Sequence, residues 1–157
     1  MATRRVDPDY SEIKPGLFLG GTPAEFDSSV STGPRPSELS QFDVVFTFHS
    51  GSTPVNGDTL EVRYTFDDNW DDGLAAENYP RINSVAEMAH SAWKDGNKVL
   101  LRCQGGKNRS GLVMGVVLLL EGLDADAAIE LMREKRDQTV LFNEHFVKDL
   151  HSWRFTN

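Results

Sequence analysis

Five residues of strand-like composition, Lys98-Val-Leu-Leu-Arg102, run directly into Cys103-Gln-Gly-Gly-Lys-Asn-Arg109-Ser110-Gly111, and the segment from Ser110 to Glu121 is apolar nearly all round before Gly122 ends it. A strand joined to a buried helix through a glycine-bearing loop leaves few architectures open, because both elements have to be covered by others. The loop suits an anion. Successive backbone N–H groups in such a turn point inward, and the helix N-terminus adds about half a positive charge. Gly105 and Gly106 permit the backbone turns this requires. A thiol held there is favoured as the thiolate, which makes Cys103 a nucleophile near neutral pH. Arg109 lies six residues on. It can fold back and offer its planar fork to two phosphoryl oxygens.

The remaining pattern supplies the cover. Gly16–Gly20, Val44–Phe48 and Glu61–Phe66 read as strands beside Lys98–Arg102. Tyr79–Asp95 reads as an amphipathic helix with Pro80 in its first turn, Ile82, Val85, Met88, Ala89 and Trp93 on one face, and Gly96 as its stop. Asp124 can cap a helix through Ala128, Ile129 and Met132, and Asn143 can cap another carrying Phe146, Leu150 and Trp153. Ser28 to Ser40 reads as a surface loop. The expectation is one α/β domain over residues 1–157, with a mostly parallel sheet of about four or five strands flanked by helices. Ligands should bind at the carboxyl ends of the strands.

Charge and cysteine content exclude several classes. With 16 Lys plus Arg against 24 Asp plus Glu, the net charge of −8 argues against a general nucleic-acid or membrane-surface binder. A small basic pocket can still focus its own field on one phosphate. The longest apolar run, Val116–Leu120, cannot cross a bilayer, and the start lacks a secretory pattern, so a soluble, cytoplasmic protein is expected. The single cysteine excludes an intrachain disulfide and a zinc site built from several thiolates.

Cys-x5-Arg-Ser between a strand and a buried helix resembles the signature of protein tyrosine and dual-specificity phosphatases. Ile13-Lys-Pro-Gly-Leu-Phe-Leu-Gly20 is similar to the first strand of the dual-specificity type, and Ala128-Ile with Asn143-x-x-Phe146-x-x-x-Leu150 is similar to its closing helices. The resemblance implies a tyrosine phosphatase-like fold and hydrolysis of phosphomonoesters on a phosphorylated protein or peptide, with no cofactor or metal and in a monomer. It implies Cys103 as nucleophile, Arg109 as phosphate ligand, Ser110 as a hydrogen-bond donor to the departing thiolate, and Gln104, Gly105, Gly106, Lys107 and Asn108 as the substrate-binding loop. It also calls for an upstream aspartate as general acid. In Phe66-Asp67-Asp68-Asn69-Trp70-Asp71-Asp72 the neighbours of Asp68 match best, whereas Asp71 would restore the customary spacing and Asp67 and Asp72 are lesser candidates. The short chain favours a shallow pocket open to phosphotyrosine and to phosphoserine or phosphothreonine. One departure stands out: the family commonly has histidine before the cysteine, and this chain has Arg102. Strand alternation would turn Arg102 away from Cys103, toward the surface or a salt bridge.

Other residues have two readings each. Lys107 could reach a second phosphate, as in phosphoinositide phosphatases, and Asn108 matches RNA 5'-triphosphatase relatives, which the acidic balance disfavours. Trp70 and Tyr64 could stack on a substrate or fill core. Asn143 can brace the phosphate loop, cap its helix, or both. The histidines at 49, 90, 145 and 151 show no ligand spacing. A non-catalytic phosphoprotein-binding module would be expected to lack the cysteine, the arginine or the acid.

Overall fold

The short strands pair into a sheet because their alternating apolar residues can be covered on both sides. A computed structural model describes residues 10–21, 39–52, 54–55, 57–69 and 71–155. In it β1 (Tyr10–Lys14), β2 (Leu17–Gly20), β3 (Val44–Thr47), β4 (Leu60–Arg63) and β5 (Val99–Arg102) form one five-stranded sheet in the order β1-β2-β5-β3-β4. β1 and β2 are an antiparallel hairpin turning at Pro15-Gly16, where Gly16 has φ of 86°. The pairings β2·β5, β5·β3 and β3·β4 are parallel. Among the described residues four helices follow the strand–helix pattern: α1 (Asn78–Lys94), α2 (Arg109–Leu120), α3 (Ala125–Lys135) and α4 (Glu144–His151). No helix among the described residues is long and apolar enough to cross a membrane.

Both faces of the central strands are buried, the usual condition of a parallel sheet. Val44, Phe46, Val99 and Leu101 face the main core with the helices, whereas Val45 and Leu100 pack with Leu39, Phe42 and Phe18 on the other side. There the Phe18 and Phe42 rings meet edge to face at 5.1 Å. Helix α2 is buried from Ser110 through Leu118. Gly115 lets α4 cross close to it, since a Cβ there would lie 2.6 Å from Leu150 Cδ2. In-register pairing of Gly20 and Thr47 with Arg102 puts the ends of β2, β3 and β5 level, so Cys103 emerges at the carboxyl edge of the sheet.

Several expectations need adjusting. The strand expected at Gly16–Gly20 is the second arm of a hairpin, and Tyr10–Lys14 precedes it. Glu61–Phe66 pairs only as far as Arg63 within β4. On α1, Met88 is exposed while Ala86 takes its place in the core, because Ile82, Val85, Ala86 and Ala89 define the inward stripe. The loop read at Ser28 to Ser40 lies mostly outside the described residues.

Candidate active site

The loop begins as a continuation of β5: Cys103 donates its backbone N–H to Gly20 O at 3.2 Å, and its side chain is 2% exposed. Gly106 N–H donates to Cys103 Sγ at 3.3 Å, and Ser110 Oγ stands 3.2 Å from the same sulfur. The sulfur thus sits before the N-terminus of α2 with an amide and a hydroxyl against it. Behind the loop, Gly106 has φ of 69°, and a Cβ on it would lie 2.5 Å from Gly20 C. Gly21 is as tight from the other side, with its would-be Cβ 2.8 Å from Gln104 O. Arg136, at the end of α3, donates to Gly106 O at 2.9 Å, Gly105 O at 3.4 Å and Ser11 Oγ at 3.1 Å. Two loop carbonyls are thereby tied outward, away from the pocket.

The loop frames a cavity of about 250 Å³ lined by Asp68, Cys103, Gln104, Gly105, Lys107, Asn108, Arg109 and Phe142. Arg109 Nε is buried and has no hydrogen-bond partner among the described residues. Lys107 pairs with Asp137 at 3.8 Å. A larger depression of about 740 Å³ lies between α3 and α4, beside Glu130, Arg133 and His151, and it contains neither the cysteine nor its partners.

Asp68 is held by two amides: Asn108 Nδ2 donates to Oδ2 at 2.9 Å and Asn143 Nδ2 to Oδ1 at 2.7 Å. The other acids of that loop behave differently. Asp67, Asp71 and Asp72 are exposed, and the backbone N–H groups of Asp71 and Asp72 donate to Asn69 Oδ1 at 2.8 and 2.9 Å, an Asx turn. Asn143 does more than either reading gave it. Its Oδ1 caps α4 by accepting from His145 N at 3.0 Å and Phe146 N at 3.4 Å, and its N–H donates to Asn108 Oδ1 at 3.0 Å. One residue therefore ties helix, loop and Asp68 together. Tyr64 packs on the core and stacks on Phe66 at 5.8 Å, while Trp70 lies outside the described residues.

Arg102 turns away from the main core and pairs with an acid, but it is not at the surface: it is 1% exposed. It donates from Nε to Thr47 Oγ1 at 3.0 Å and from Nη2 to Glu61 Oε2 at 3.2 Å. Thr47 Oγ1 donates to that same carboxylate at 2.7 Å, and Arg63 Nε stands 3.1 Å from it. Burial alone would raise the Glu61 carboxyl. The hydrogen bonds from Thr47 and the Val55 amide, with the charges of Arg63 and Arg102, outweigh burial and hold it below its ordinary value. His49 is held below its usual value by burial, then by Arg109, Arg63 and Arg102. Of these guanidiniums Arg63 and Arg102 are paired with Glu61, whereas Arg109 lines the cavity.

Arg136, Phe142 and Glu61 were not singled out from the sequence. Arg136 sits among alternating charges in Arg133-Glu-Lys-Arg136 that read as a solvated helix end. Its long-range hydrogen bonds, to Gly106 O at 2.9 Å, Gly105 O at 3.4 Å and Ser11 Oγ at 3.1 Å, distinguish it.

The family model for the dual specificity phosphatase catalytic domain matches residues 28–155. The chain belongs to the dual-specificity phosphatases. A protein of Invertebrate iridescent virus 6 that bears a tyrosine phosphatase name is 30% identical over 84 residues. That match spans 52% of this chain and 58% of the viral relative. Among solved structures, human DUSP28 superposes with a TM-score of 0.75 at 18% identity, covering 94% of both chains. A mouse dual-specificity phosphatase-type protein in complex with zinc tungstate gives 0.74 at 18%, covering 98% of this chain and 91% of its own. At these identities the likeness to the solved structures is one of fold.

Proposed function

We propose that this dual-specificity phosphatase hydrolyses phosphomonoesters carried by proteins, on tyrosine and on serine or threonine, through a cysteinyl-phosphate intermediate on Cys103. The observation that carries this reading is the convergence in one 250 Å³ cavity of Cys103, Arg109 and Asp68, with Ser110 Oγ 3.2 Å behind the sulfur. The tungstate in the mouse relative, an oxyanion, and the tyrosine phosphatase name of the viral relative agree with it.

The chemistry runs in two steps. The Cys103 thiolate attacks phosphorus in line, forming an S–P bond as the P–O bond to the alcohol breaks, and Asp68 gives its proton to the departing oxygen. Arg109 offers two N–H donors to equatorial oxygens, where charge gathers in the transition state. Water then attacks the cysteinyl phosphate while the Asp68 carboxylate takes its proton. The P–S bond breaks, the thiolate leaves with Ser110 donating to it, and inorganic phosphate is released. Lys107 is engaged by Asp137, which speaks against a second phosphate site on that lysine.

The test is phosphate release from phosphotyrosine and phosphothreonine peptides, a soluble phosphoinositide and triphosphorylated RNA, with Cys103→Ser as the blank. Release from a peptide that disappears in the blank is the expected result. Release confined to the RNA or the phosphoinositide would replace the substrate class, and release unaffected by the substitution would remove Cys103 from the mechanism.

A further inference from the structure

Phe142 is a large apolar side chain that remains 46% exposed, and among the described residues it is the one aromatic lining the cavity around Cys103. Its backbone is fixed from both sides. Leu141 has φ of 59°, a left-handed conformation that a leucine rarely adopts, and its side chain is fully buried. Leu141 N–H donates to Lys107 O of the phosphate loop at 2.9 Å, and Arg133 donates to Val140 O at 2.9 Å and Leu141 O at 3.2 Å. On the other side, Asn143 is locked to Asn108 and Asp68. Backbone strain that persists under such restraint commonly marks a functional position. Here it turns a ring toward the mouth of the cavity while the neighbouring residues are used to build the floor.

We propose that Phe142 is a specificity-determining residue that packs against the ring of an aryl phosphomonoester, so that phosphotyrosine is held more tightly than phosphothreonine. The inference rests on the phosphatase reading of the same cavity. Phosphate is bound by Cys103, Arg109 and the loop in either substrate, and only the organic part can reach a side chain on the rim. An aryl group gives Phe142 a face or edge to pack on; the short alkyl stem of phosphothreonine gives it almost nothing. Because the backbone is already ordered, little conformational freedom is lost when the ring is covered.

The experiment compares peptides of one sequence carrying phosphotyrosine or phosphothreonine. Equilibrium binding is measured to Cys103→Ser with Phe142 intact and with Phe142→Ala, Phe142→Leu or Phe142→Tyr. Turnover is measured with Cys103 present. Phe142→Ala is expected to weaken phosphotyrosine binding about three- to tenfold. Phosphothreonine binding should change less than about twofold, with Phe142→Tyr retaining the discrimination and Phe142→Leu losing most of it. Competition by inorganic phosphate should be the same in all four proteins. Equal losses for the two peptides, or no loss for either, would overturn the assignment, as would a failure of both peptides to bind with Phe142 intact. Selective binding without any Cys103-dependent turnover would leave Phe142 assigned and remove the phosphatase reading instead.

Discussion

At the scale of single residues, the exchange of the family's customary histidine for Arg102 reorganises what lies behind Cys103. Arg102, which is buried, and Glu61, which is half-buried, form a pair with Thr47 between them, and removing Glu61 strands the arginine's charge. Glu61→Ala should cost about 3 kcal/mol in urea unfolding at pH 7, whereas Arg102→Met with Glu61→Leu, which removes both charges, should cost much less. Glu61 lies below its ordinary value of 4.5 in the fold, so it contributes stability that is complete above that pH and is lost as pH falls through the folded value. Unfolding of the wild type followed from pH 7 to pH 3 should therefore show an acid limb that flattens in Glu61→Gln. That Arg102 turns aside was legible from strand alternation. Its partner was not, because Glu61 is 41 residues away and parallel register leaves no mark in the sequence. The glycine contact is a second test. Gly21 has nothing but the loop to meet, so Gly21→Ala should displace Gln104–Gly106 and lower kcat/KM by about 100-fold, an effect of roughly ångström misplacement.

Among the elements, α4 has the widest reach, because its cap is also the clamp on Asp68. Asn143→Ala removes an N-cap worth about 1 kcal/mol. It also frees one oxygen of Asp68, leaving Asn108 as the remaining hold. If Asp68 supplies the proton, the loss in kcat should be larger for an alkyl phosphate, whose leaving oxygen needs that proton, than for p-nitrophenyl phosphate, whose leaving oxygen departs without it. Equal losses for the two would show that Asn143 matters only for folding. Packing of α4 on α2 gives a separate stability prediction: Gly115→Val would collide with Leu150 and should cost about 1–3 kcal/mol in denaturant unfolding with the unfolding slope unchanged. The capped helices could be read from the chain because a cap is a local signal; Asp124 and Asn143 both accept the amides expected of them. β1 could not, since Tyr10-Ser-Glu-Ile-Lys14 has the composition of a loop and is a strand through its pairing with β2. The choice between Asp68 and Asp71 rested on neighbours against spacing. Only Asp68 lines the cavity, and the Asx turn at Asn69 is what turns Asp71 and Asp72 outward.

Over the whole molecule, a net charge of −8 surrounds a pocket lined by Arg109. The exposed acids Asp67, Asp71 and Asp72 belong to the loop that brings Asp68 to the cavity, and they stand outside its lining as an acidic border. On the proposed reading, a phosphorylated residue approaches through a negative outer field to reach a positive floor at Arg109, and the two act at different ranges. The floor is short-range and partly buried, so salt screens it little; the acidic rim is exposed and is screened within about 8 Å at physiological ionic strength. It follows that residues flanking the phosphorylated one should matter through charge before they matter through shape. A peptide with lysine or arginine on both sides of the phosphotyrosine should be turned over with kcat/KM about tenfold above its aspartate-flanked counterpart at low salt, chiefly through KM. Raising the salt to about 0.5 M should bring the two values within about twofold, because it removes the rim's field and leaves the pocket's own contacts in place. Replacing Asp67, Asp71 and Asp72 by asparagine should do at low salt what added salt does to the wild type. If the preference for basic flanks survives both treatments, specific contacts rather than the outer field select the substrate.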